Sequence, residues 1–223
     1  MKQDLSEHRV TARPATILAA DGSILAVLPS AESPEPVPLA EVAPAMISAL
    51  LAAEDHRYYT HTGVDLHAMT RALKRDVDAG RIVEGGSTIT QQYVRNVLLP
   101  ASRRTERKLK EVTMAIELDD RLRKNQILER YLNAVYFGDQ SYGIQRAAQN
   151  FFGIDAADLS LSQAADLAGV LQSPSTLEPR GHLRASTKRR NVVLNRMEEL
   201  GFISKQQHTN AIRDPLEVAP RAA

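Results

Sequence analysis

The chain has 223 residues, 43% hydrophobic and 25% charged, enough for one sizeable core with room for a small lobe. Its 28 basic and 27 acidic residues leave a formal charge of +1, so bulk charge points to no nucleic-acid partner and any electrostatic function must lie in local clusters. The absence of cysteine excludes disulfides and thiolate metal sites. No apolar run reaches the ~18 residues of a membrane span, and residues 1–16 are too polar for a signal peptide.

From the N-terminus, residues 15–28 predict a short strand pair around Asp21-Gly22, a turn dipeptide flanked by Ile17, Leu18, Ile24 and Leu25. Pro34, Pro36 and Pro38 mark a linker over 31–38. A helix over 40–54 follows, because Met46, Ile47, Leu50, Leu51 and Ala53 recur at roughly helical spacing; it buries one face and delivers Glu54 at its end. The next residues, Asp55-His56-Arg57-Tyr58-Tyr59-Thr60-His61-Thr62-Gly63, form an aromatic and histidine turn. A carboxylate half out of water beside aromatic rings has its pKa raised, as a general base or acid requires; a solvated helix end is the plainer alternative. His61, Asp65 and His67 resemble a metal triplet, but a histidine hydrogen-bonding the turn at Gly63 fits them better.

Asp65 caps a helix over 66–79 that stops at Gly80. The paired Gly85 and Gly86 then permit a tight turn, with Ser87 the natural N-cap of a helix over 88–98. Such a turn points backbone N–H groups outward at a helix N-terminus, which favours an anionic group such as phosphate. Thr88, Gln91 and Gln92 share a face near Arg95, a set suited to a sugar or pyrophosphate. On a helix over 102–120, Arg104, Arg107, Lys108 and Glu111 lie at spacings of three, four and seven, so a second glutamate sits among cations; surface ion pairs are the ordinary alternative. Further helices are predicted over 125–136, 143–151, 161–172 with Ser160 and Gln163 as a capping box, 184–199 ending before Gly201, and 205–213. Ile116, Leu118, Leu122, Ile127, Leu128, Tyr131, Leu132 and Val135 are expected to supply most of the core.

Five ordered stretches carry a resemblance. They are E-D-x-x-[FY]-x-x-H-x-G from Glu54 to Gly63, G-G-S-T-I-T-Q-Q from Gly85 to Gln92, R-K-x-x-E from Arg107 to Glu111, K-x-x-I-L-E-x-Y-L-N from Lys124 to Asn133, and R-R-x-x-V-L from Arg189 to Leu194. In these the chain resembles the peptidoglycan glycosyltransferase (transglycosylase) domain of class A penicillin-binding proteins and their monofunctional relatives, over about residues 14–205. Any one motif is weak; five in order make coincidence an untenable explanation. Tyr58 stands where Phe is common in the family and Arg95 where Lys is common.

The resemblance implies a mainly α, lysozyme-like fold with a large globular lobe and a smaller membrane-proximal lobe, here preceded by the short N-terminal β-hairpin. It divides the chain into an N-terminal segment (1–38), a glycosyltransferase domain (39–215) and a tail (216–223). It implies that Glu54 is the general base activating the acceptor's 4-hydroxyl, and that Asp55 orients the acceptor or supports Glu54. Glu111, with Arg95, Arg103, Arg107 and Lys108, would handle the donor pyrophosphate, through a divalent cation (Mg²⁺ or Mn²⁺) on Glu111 if one is used. Ser87, Thr88, Gln91 and Gln92 would contact sugar or phosphate oxygens. The implied partners are lipid II, lipid-linked glycan, a membrane surface met through Leu66, Met69, Ile82 and Val83, and moenomycin-type inhibitors. The implied location is the extracytoplasmic face of the bacterial cytoplasmic membrane; family members usually carry an anchor, so the chain reads as an excised or stand-alone domain. Lys124, Tyr131 and Asn133 read as structural, Arg189 and Arg190 as salt-bridged or donor-contacting. A lytic, lysozyme-like hydrolase also needs a glutamate in a helical cleft but has no use for the cation cluster. A non-catalytic glycan or lipid II binding module is the third reading, and the presence of both Glu54 and Glu111 speaks against it.

Overall fold

The structure is a computed structural model that describes residues 15–18, 24–28, 36–79, 86–99 and 104–221. It divides into two compact units, Met1–Glu35 and Pro36–Ala223. In the first, β1 (Ala15–Leu18) pairs antiparallel with β2 (Ile24–Leu28), Ala15 opposite Leu28, with a register irregularity between Ile17 and Leu18. The predicted turn at Asp21-Gly22 lies outside the described residues.

The second unit is helical. Its order is α1 (Pro44–Glu54), α2 (Leu66–Ala79), α3 (Ile89–Tyr93), α4 (Arg104–Arg121), α5 (Lys124–Ala134), α6 (Ile144–Phe152), α7 (Leu161–Val170), α8 (Pro174–Leu177), α9 (Pro179–Glu199) and α10 (Lys205–Arg213). Pro44 opens α1, where its missing N–H costs no helical bond. α1 then buries Met46, Ala49 and Leu50 against α7 and α9. α7 starts at the expected Ser160–Gln163 capping box, and its Ala164, Ala165, Ala168 and Gly169 are small enough for α9 to come close. α9 returns Val193, Leu194 and Met197 to that contact. Around it lie Ile127, Leu128, Tyr131 and Leu132 of α5 and Ala147, Ala148 and Phe151 of α6, all buried. Each large aliphatic side chain in this core contributes about 1.5–3 kcal/mol.

The expected core is therefore right at α5 and incomplete elsewhere: α1, α7 and α9 share its centre. Ile116 is a correction, since it is 48% exposed; Leu118 and Ala115 take the buried face of α4. α9 begins five residues before the predicted start. Pro179 sits in its first turn, Glu178 accepts from the N–H groups of Arg180 and Gly181, and His182 (φ −134°, ψ 39°) absorbs a kink. The helix expected over 88–98 is α3 followed by a π-turn, Val94–Leu98.

Two fourth-motif residues hold the scaffold together. Asn133 exchanges hydrogen bonds with the backbone of Val37 (3.0 and 2.9 Å), and Lys124 pairs with Asp119 at 2.6 Å while standing 4.7 Å from the Tyr58 ring centroid. Tyr58 in turn donates its hydroxyl to the Lys124 carbonyl at 2.8 Å, which answers the polar requirement created by a tyrosine at that position. These contacts lock the turn after α1 onto the start of α5.

Candidate active site

Glu54 is the last residue of α1, and the chain turns sharply after it. Asp55 is buried; its carboxylate meets His61 Nε2 at 2.9 Å and accepts from the Ile89 N–H at 3.1 Å. Ile89 is the first residue of α3, so Asp55 places its charge where a helix N-terminus welcomes an anion. This corrects one expectation: His61 binds Asp55 and not the turn at Gly63, while Asp55 is buried and ties that turn to the first residue of α3. The partner of the Gly63 carbonyl is Thr88, whose Oγ1 donates to it at 2.6 Å.

Gly63 has φ 75°, and a Cβ there would lie 2.4 Å from the Ala115 carbonyl oxygen of α4. Only glycine allows this approach, so Gly63 seats the end of the first motif against α4, one turn beyond the third motif. Thr88, not Ser87, is the N-cap of α3: its side chain accepts from the Gln91 N–H while the Gln91 side chain accepts from the Thr88 N–H. Thr88 and Gln91 are buried, and the Thr88 hydroxyl and the Gln91 side-chain oxygen are engaged in this capping box, while Gln91 Nε2 is buried with no hydrogen-bond partner among the described residues.

Gln92 does what its neighbours do not. Its Nε2 donates to Glu54 Oε2 at 2.7 Å, and its Oε1 accepts the Tyr131 hydroxyl at 3.0 Å. The relay Tyr131–Gln92–Glu54 fixes the orientation of the Glu54 carboxylate. Burial pushes the pKa of Glu54 above its ordinary value; the Gln92 hydrogen bond and the charges of Arg189 and Arg95 pull it down, and Asp55 pushes it up. Burial likewise holds the Tyr131 phenol well above its usual range, so it stays a hydrogen-bond donor. The sequence reads Tyr131 as structural; its part in orienting Glu54 has no short-range signal, since 39 residues separate it from Gln92.

Glu111 is 2% exposed on α4. Lys108, one turn earlier, donates to its Oε1 at 2.7 Å and also to Ser87 Oγ at 3.1 Å. Ser87 thus links the second motif to the third, and the half-exposed ammonium of Lys108 is the cation presented there. Arg95 is half-buried, with Nε 3.3 Å from Asn96 Oδ1. Arg103 lies outside the described residues, and for Arg104 and Arg107 only the backbone, in α4, is described. Arg190 is buried and donates to Ser162 and to the Ile212 and Asp214 carbonyls, a structural role. Arg189 is the charge from the fifth motif that acts on Glu54.

The donor set does not fit a resident divalent ion. The Glu111 carboxylate is already matched by an ammonium, and among the described residues no group of three His, Asp or Glu is arranged to hold a metal. His61 and Asp65 of the metal-like triplet are engaged with Asp55 and with the Ala68 N–H and Arg57 respectively.

The geometry is therefore two glutamates linked by the second motif, one held by the Gln92 amide and one by the Lys108 ammonium that Ser87 also accepts from. The family model for transglycosylases matches residues 21–198 of the chain. Penicillin-binding protein 1A of Haemophilus influenzae is 41% identical over 204 residues, covering 92% of this chain and 24% of that protein. Penicillin-binding protein 1A of Escherichia coli is 41% identical over 194 residues, 87% of this chain and 23% of that protein. The crystal structure of penicillin-binding protein 1A from Haemophilus influenzae matches with a TM-score of 0.53 at 27% identity, over 95% of this chain and 22% of that chain. The chain spans about a quarter of the length of the curated relatives it matches. Motifs, helical architecture and sequence similarity agree: the chain belongs to the transglycosylase family and is a peptidoglycan glycosyltransferase domain of the kind found in class A penicillin-binding proteins.

Proposed function

We propose that the domain polymerises lipid II into β-1,4-linked glycan with release of undecaprenyl pyrophosphate, and that Glu54 is its general base. The observation that carries this reading is the Glu54 carboxylate, partly withdrawn from water, with a raised pKa and an orientation fixed by Gln92 at 2.7 Å. Glu54 takes the proton of the acceptor 4-hydroxyl as that oxygen attacks the anomeric carbon of the lipid-linked donor. The bond from that carbon to the pyrophosphate oxygen breaks, the α-linkage inverts to β, and the leaving group carries away the electron pair. The charge that develops there is met by the Lys108 ammonium, which Glu111 and Ser87 hold at the start of α3, with Arg95 as a further cation.

A lytic, lysozyme-like activity leaves the Lys108–Glu111–Ser87 arrangement without a task. Among the described residues no helix is long and apolar enough to cross a membrane. The lipid tail of the substrate nevertheless requires a bilayer, and Leu66 (70% exposed) on α2 is positioned in sequence between the first two motifs to meet one; Met69 is half-buried, and Ile82 and Val83 lie outside the described residues. The reading places the domain at the extracytoplasmic face of the cytoplasmic membrane, with a smaller lobe toward the bilayer and a donor site open to moenomycin-type inhibitors. Labelled lipid II incubated with the chain is expected to give polymer that lysozyme digests. Trimming of added glycan without polymer would indicate the lytic reading, and binding without either product a recognition module.

A further inference from the structure

Gly169 lies on α7 where α9 crosses it. A Cβ placed there would stand 2.9 Å from Cγ of Arg189, with the Arg189 carbonyl carbon and Val193 Cγ2 at 3.5 Å. A real side chain does not tolerate the first of these distances, so the stem of Arg189 occupies the space that any larger residue at 169 would fill. α1, which ends in Glu54, packs against both α7 and α9. Arg189 is half-buried, its Nε has no hydrogen-bond partner among the described residues, and its charge reaches Glu54 through space.

From this we infer that Gly169 is a positioning residue: its missing side chain lets the Arg189 stem rest on α7 and so brings the guanidinium to bear on Glu54. The inference rests on Glu54 being the base. The other groups that face Glu54 are Gln92 on α3, Arg95 on the π-turn, Asp55 just beyond α1 and the Tyr131 phenol on α5. Gln92, Arg95 and Arg189 favour the carboxylate and Asp55 opposes it. Arg189 alone among them stands on α9, so it is the one of these groups whose own helix meets Gly169 of α7. Withdrawing a cation makes the carboxylate hold its proton more tightly, so the acidic limb of the rate profile moves to higher pH.

The test is the pH dependence of kcat/KM for lipid II polymerisation in the parent, Gly169→Ala, Arg189→Ala, the double variant and Glu54→Gln, each checked for parental helicity. Gly169→Ala and Arg189→Ala are each expected to raise the acidic limb by roughly half to one pH unit. The double variant should move it no further, because Arg189→Ala has already removed the stem that a methyl group at 169 would displace. An unmoved limb in Arg189→Ala, or a Gly169→Ala shift that adds in full to that of Arg189→Ala, overturns the inference and leaves Gly169 a helix-spacing residue. If Gly169→Ala alone does not fold, recovery of folding in the double variant supports the steric conflict with Arg189, and failure to recover overturns it. Glu54→Gln keeps the two ideas apart: a limb that survives in it removes Glu54 as the base, whereas a limb lost there but unmoved in Arg189→Ala removes only the role of Gly169.

Discussion

The carboxylate of Glu54 is met by the amide of Gln92 at 2.7 Å, whereas that of Glu111 is met at the same distance by the ammonium of Lys108. An amide orients a carboxylate without cancelling its charge; an ammonium cancels it. Glu54 is also partly open while Glu111 is closed in at 2% exposure. The same side chain thus becomes a proton acceptor in one place and the anchor of a cation in the other, and the environment assigns the roles. The second motif serves both, through Gln92 to one glutamate and through Ser87 and Lys108 to the other.

The comparison breaks first at Glu54. Glu54→Gln preserves shape and can still meet Gln92, but it removes the proton acceptor, so polymerisation should fall about 10²–10⁴-fold while the melting temperature stays near that of the parent. A rate within threefold of the parent would remove the distinction. Lys108→Met should behave differently, because it strands a buried carboxylate: a loss of about 1–3 kcal/mol in denaturant unfolding together with slower turnover. A surface ion pair would change stability by only about 0–1 kcal/mol and leave turnover normal.

The third prediction leaves catalysis untouched. Asp166, on α7, is buried, accepts from Ser186 on α9, and burial pushes its pKa up to about 7 from an ordinary 3.8. The folded protein therefore keeps a proton that the unfolded chain releases, so this contribution to stability is full below about pH 4 and is lost as pH rises toward 7. Asp166→Asn should abolish that slope in unfolding measurements between pH 4 and 8 without altering polymerisation. A parental slope in the variant would assign it to another group.

Helical periodicity and cap chemistry made α1, α5, α7 and the Ser160–Gln163 box readable, because those signals act within four residues. Where two residues offer the same chemistry, the sequence did not choose between them: Ser87 and Thr88 can both cap a helix, and the Gly63 carbonyl, 25 residues away, selects Thr88. Ile116 repeats at core spacing, yet the close approach of Gly63 to Ala115 fixes which face of α4 is inside. The pairing of Asp55 with His61 runs across an irregular turn and has no period to betray it. The motifs marked Glu54 and Glu111 as candidates; the Gln92–Tyr131 relay and the reach of Arg189 arise only when α3, α5 and α9 are assembled.

The most direct measurement is the pH–rate profile of polymerisation by the parent, Glu54→Gln and Glu111→Gln. The acidic limb should be absent from the residual rate of Glu54→Gln and retained, at a lower overall rate, by Glu111→Gln. A limb that persists in Glu54→Gln and disappears in Glu111→Gln would exchange the two roles and contradict the account.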